Sequence, residues 1–186
     1  MITLNIKVDK LKQATVEAAL SGIKNGAQKA MSRAINRTVT YGKTQALRIV
    51  RKEYTINAKS LNDATRIYTT RNTGALRGAI SFTGRPKQLR SFARKINRNG
   101  IFVNVKRSTG FKRLTRRAFV NTVSSGPAIL MRLGDSRYPI EVLHGPAVPQ
   151  MTGNVNVGPK IQEKIANKLN ERVDHEMSAL LKGYVK

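Results

Sequence analysis

Two histidines, ten carboxylates and no cysteine leave this 186-residue sequence little with which to make or break bonds. His144 and His175 are far apart, and nothing in their spacing supplies the further ligands that a zinc or iron site needs. His144 lies in Leu143-His144-Gly145-Pro146, beside a turn, where an imidazole ordinarily bonds backbone groups or packs. A metal nuclease needs clustered carboxylates. Glu53 and Asp63 are ten residues apart and Asp135 and Glu141 six, spacings that do not by themselves bring two acids together. There is no G-x-x-x-x-G-K-[ST], no G-x-G-x-x-G after a strand and no H-E-x-x-H. Ser124-Ser125-Gly126 reads as a turn. The absence of cysteine excludes disulfides, thiol catalysis and Cys-based zinc sites. The expectation is a protein that is not an enzyme, with no metal and no cofactor.

The chemistry that remains is the binding of anions. The formal net charge is +25, and between Asp63 and Asp135 sixteen lysines and arginines stand with no acidic residue among them. Such a stretch repels itself until a polyanion or an acidic partner covers it. Its densest part is Arg107, Lys112, Arg113, Arg116 and Arg117, gathered around Gly110; these are candidates for contact with DNA or with an acidic protein. A second candidate group is Lys29, Arg33 and Arg37, spaced by four on a helix, for which a plain solvated face is the alternative. Aromatic residues make up only 5% and tryptophan is absent, which argues against a single-strand binder built on stacking platforms.

Ordered elements must hold these cations. Apolar residues alternate through the basic stretch: Ile101, Val103 and Val105, then Ala118 and Val120, then Ile129, Met131 and Leu133. Period two marks strands with one buried face. Asn99-Gly100 is a hairpin signal, and the segment Arg107 to Arg117 reads as a mobile loop. Ile2, Leu4, Ile6 and Val8 form a first strand, and Asp9 offers a cap to a short helix. Ala30, Met31, Ala34, Ile35, Val39, Ala46 and Val50 form one stripe of a long helix over about 27–54. Asn57 is expected to cap another short helix. Pro159 suits the first turn of a final helix, striped by Ile161, Ile165, Leu169, Val173, Met177, Leu180 and Leu181 and ended by Gly183. That helix carries Glu163, Glu171, Asp174 and Glu176, four of the ten acids. The predicted fold is α+β: one domain over 1–186, with an antiparallel sheet of about four to six strands packed by the long N-terminal and C-terminal helices. Gly145 to Gly158 is broken by Gly and Pro and reads as an extended arm. Its apolar Val148, Met151 and Val155 need cover, for which contact with a neighbouring subunit is expected. No apolar run approaches the ~20 residues of a membrane span.

Several of these segments together resemble the phage minor tail protein Z family. They are Ala34-Ile35-Asn36-Arg37-Thr38, Gly84-Arg85-Pro86, Arg116-Arg117-Ala118-Phe119-Val120, Arg132, and the run from Pro139-Ile140 through Leu143-His144-Gly145-Pro146 to Pro149. The resemblance runs over roughly 26–182, and none of its motifs is catalytic. It implies a tail-completion protein of long-tailed phages, a homo-oligomeric ring, six-fold by analogy, at the head-proximal end of the tail. Such a ring would be needed for head–tail joining, with the double-stranded DNA genome passing through. It would sit near tail terminator, tail tube and head-connector proteins in the virion, after assembly in the host cytoplasm. Charge alone suits an alternative, a sequence-independent nucleic-acid-binding protein of ribosomal or nucleoid type.

Overall fold

The computed structural model describes residues 1–73, 75–123 and 126–184. The elements run β1 (Ile2–Lys7), α1 (Lys10–Ala19), α2 (Gly26–Glu53), α3 (Ala58–Asp63), β2 (Thr65–Tyr68), α4 (Thr70–Thr73), β3 (Arg77–Phe82), β4 (Ala93–Asn97) and β5 (Gly100–Asn104). They continue as β6 (Lys112–Arg113), β7 (Ala118–Val123), β8 (Gly126–Arg132), β9 (Ile140–Val142), α5 (Val148–Thr152) and α6 (Gly158–Tyr184). The fold is α+β with antiparallel sheets and a long helix towards each end, as expected. The strands do not form one sheet. Among the described residues they form three sheets of three, in the orders β1-β3-β2, β4-β5-β6 and β7-β8-β9. The chain leaves the first sheet at Gly84, whose φ of +131° few other residues adopt, followed two residues on by Pro86, which cannot donate to a ladder.

Contacts group the chain into two compact units, and α2 contributes residues to both. The first comprises Met1–Ala46, Thr65–Phe82 and Gly158–Lys186. In it β1 alternates as its sequence does, with Ile6 buried between exposed Asn5 and Lys7. The α2 stripe of Ala30, Met31, Ala34, Ile35 and Val39 is at most 2% exposed. A glycine on the sheet lets the helix lie close: a Cβ on Gly78 of β3 would fall 2.4 Å from the Val39 side chain and 2.9 Å from Ile35. On α6, Ile161, Ile165, Leu169 and Val173 are buried, but Leu181 is 36% exposed, so the stripe loses its cover towards the end. Gly183 does not stop that helix, which runs on to Tyr184. Asp9 stands at the start of α1, yet its side chain makes no capping bond.

The second unit comprises Leu47–Ala64 and Thr83–Val157. Asn57 caps α3 as expected, its side chain accepting from the Ser60 N–H at 2.7 Å. The β4–β5 hairpin pairs Asn97 with Gly100, so its two-residue turn is Arg98-Asn99, one residue earlier than the Asn-Gly signal suggests. Gly100, with φ of +123°, opens β5 instead of closing the turn. Ser124 and Ser125, where a turn is expected, lie outside the described residues.

The expected extended arm is different. Residues 148–152 form α5, in whose first turn Pro149 sits, and Gln150 accepts from the Ala147 N–H at 2.8 Å. Val148 and Met151 are fully buried within their own chain. A short helix turns both side chains inwards, so the argument that they need a neighbour's cover does not hold for them. Val155, by contrast, is 82% exposed.

Candidate functional site

The basic segment 107–117 is not a free loop. After a tight turn at 107–109 it enters β6, which pairs with β5 as Val103 with Lys112 and Phe102 with Arg113. Successive strand side chains point to opposite faces. Lys112 therefore shares a face with buried Val103, and lines an apolar groove of about 430 Å³ with Tyr54, Leu89 and Leu114. Arg113 is on the other face, with half-buried Phe102 and with Lys95, the β4 partner of Phe102. The Lys95 ammonium lies 4.5 Å over the Phe111 ring. Arg107 is exposed, and its Nε donates to the Arg51 carbonyl at 3.0 Å. Arg117 is ion-paired with Asp135 at 2.5 Å, both side chains open to solvent. Of the five predicted cations, Arg107, Lys112, Arg113 and Arg116 are exposed and have no ion pair among the described residues. Arg117 is partly neutralised, and Lys112 is on the opposite face of β6 from Arg113.

The helix group divides as well. Arg37 Nη1 meets Glu176 Oε1 of α6 at 2.5 Å, and Glu176 is only 3% exposed. Arg37 is thus committed inside the first unit. Lys29 and Arg33 instead line a cleft of about 570 Å³, together with Asn25, Gln28, Ser32 and Asn36 of the same helix region. The opposite wall is Thr70 and Arg71 of α4, with Ala75 and Leu76. Asn36 Oδ1 accepts from the Thr70 N–H at 2.9 Å, and the Ser32 and Thr70 hydroxyls are 2.7 Å apart. These bonds fix the short α4 against α2. Sequence reasoning did not group Arg71 with Lys29 and Arg33, since only folding brings it to them; its place in the acid-free stretch was the one available signal.

Among the described residues, two side chains carry perturbed titrations. Burial pushes the Tyr54 phenol up, the neighbouring Glu53 charge adds to this, and a hydrogen bond with Asn154 opposes both. The Glu171 carboxyl is held low by its hydrogen bond from Lys168, on the surface of α6. His144 is exposed, and its main chain forms a single-residue bridge with Gln88. The run that follows it is packed, since a Cβ on Gly145 would fall 2.8 Å from the Phe92 ring. Among the described residues no three acidic or histidine side chains gather as a metal site would need, and no helix is long and apolar enough to cross a membrane.

No curated protein and no solved structure matches this chain. The profile of one family, prophage minor tail protein Z, matches residues 8–186. The match takes in α1 as well as the segments from Ala34 to Pro149 that carry the resemblance. Those segments do structural work here: Gly84 and Pro86 end a sheet, Arg37 ties to Glu176, and Pro149 enters α5. The chain belongs to the prophage minor tail protein Z family, whose members are structural proteins of the phage tail.

Proposed function

We propose that this protein completes the tail as a homo-oligomeric ring, six-fold by analogy with its family, at the head-proximal end. There it joins tail to head and lets the genome pass. Tail terminator, tail tube and head-connector proteins are its neighbours in this reading, and duplex DNA is its transient partner. The supporting observation is the set Arg107, Arg113 and Arg116: exposed, without ion pairs among the described residues, and held on a paired strand and its flanking turns. Cations placed in this way meet phosphates without reading bases, as a protein lining a DNA path must. Val155, exposed as it is, remains a candidate subunit contact.

The test is the salt dependence of duplex binding. Each phosphate neutralised adds about −0.9 to the slope of log affinity against log salt. Changing Arg107, Arg113 and Arg116 together to Ser should flatten the slope by about 2–3, for any DNA sequence. Lys112→Ser, on the other face of β6, should leave the slope in place. A triple variant that keeps the full slope would remove DNA from these three arginines.

A further inference from the structure

The cleft between α2 and α4 has a composition that points to one kind of ligand. Three cations, Lys29, Arg33 and Arg71, face it from two walls, and Asn25, Gln28, Ser32 and Asn36 add amides and a hydroxyl. Among the described residues neither a carboxylate nor an aromatic ring lines it. No ion pair engages any of the three cations among the described residues. We infer that this cleft docks an extended, carboxylate-bearing segment of another virion protein.

Dimensions support that occupant. From Gln28 to Asn36 the α2 wall runs for about two turns, roughly 12 Å at the helical rise, with Asn25 in the turn before it. An extended chain covers that distance in about four residues. Lys29 and Arg33 are one turn apart, roughly 6 Å. Alternate side chains of a strand repeat at nearly the same interval and share a face. Two carboxylates at i and i+2 would therefore meet Lys29 and Arg33 in register, with Arg71 closing from the opposite wall through its planar fork. The wall is already set by the bonds from Asn36 and Ser32 to Thr70, so little ordering cost remains for the ligand to bear. The α2 row also holds an internal precedent. One turn beyond Arg33, Arg37 has already taken a carboxylate, Glu176. Nucleic acid fits less well. A duplex is a stiff rod that does not thread between two walls, and a single strand favours aromatic platforms that the cleft lacks.

The inference uses only the chain's place among virion proteins and does not depend on the DNA surface of the second unit. Fluorescence polarisation of the full chain tests it with three labelled probes: a peptide alternating Glu and Ser, a short duplex and oligo-dT. Arg33→Ser with Arg71→Ser should weaken the peptide about ten-fold or more, from the loss of charge-assisted bonds. The same pair should change duplex binding by less than about two-fold, whereas Arg113→Ser with Arg116→Ser should do the reverse. Ala75→Glu, exposed on the cleft wall, should also weaken the peptide by supplying a competing carboxylate, with an unchanged thermal melt showing that the fold is intact. The inference is overturned if wild-type protein does not bind the peptide, or if neither cleft variant weakens it. It is equally overturned if oligo-dT displaces the peptide and loses affinity with the same two arginines. Any of these results would leave the salt slope of the second unit standing.

Discussion

At the scale of single residues, close packing and burial give the sharpest expectations. Gly78 sits on β3 where a methyl group would press into Val39 and Ile35. Neither neighbour is the end of a flexible side chain, so Gly78→Ala should cost about 1–3 kcal/mol, read as a lower denaturant midpoint. Tyr54 is 4% exposed and its phenol is held above its ordinary 10.0, chiefly by burial. The folded state keeps that proton longer than the unfolded chain does. The associated stability is complete below pH 10.0 and is lost as pH rises through the raised value. Urea melts of Tyr54→Phe should therefore decline less steeply above that pH than those of wild type. Sequence told much at this scale: the Asn57 cap, the α2 stripe and the acid-free basic segment all follow from residue type and spacing. It could not tell that Arg37 had a buried partner, because Glu176 lies on α6, far along the chain.

At the scale of elements, the α2–α6 tie and the β6 strand decide which cations are free. Glu176 is almost wholly buried while Arg37 keeps half its side chain in water. Arg37→Ala would strand a carboxylate inside the first unit. Discounted for the solvent around the arginine, the loss should be about 2 kcal/mol in urea unfolding. Adding Glu176→Leu should recover much of it, since an apolar residue needs no partner. If the double variant is no more stable than the single, the tie is not electrostatic. β6 is only two residues long, too short to show a period in the sequence, and so Lys112 and Arg113 read as one loop group. Pairing with β5 puts them on opposite faces. The hairpin register slipped by one for a related reason: Gly100 has the left-handed backbone that the turn signal demands, but uses it to enter the strand. Residues 145–158 misled through their prolines. Pro149 starts a helix as readily as it breaks a strand, and the short α5 buries Val148 and Met151.

At the scale of the whole molecule, the two compact units are each assembled from separated stretches of chain, and α2 passes unbroken from one set to the other. That continuity leads us to expect a single folding domain. One coincident urea transition by far-UV circular dichroism and by Tyr fluorescence would agree, and two separated transitions would not. The fold class was legible because both long helices are strongly striped and the strands alternate. The division into three sheets was not, since period two says which face is buried but not which strand is the neighbour. The net charge of +25 carried most of the functional reading, and family membership gives it a setting in the phage tail. Electron microscopy of phage particles carrying a labelled copy of this protein tests the proposed head-proximal ring most directly. A closed ring of label is expected at the junction of head and tail, with the Arg113 face of the second unit towards the DNA path. Label at the distal tip, or scattered single copies along the tail tube, would contradict it.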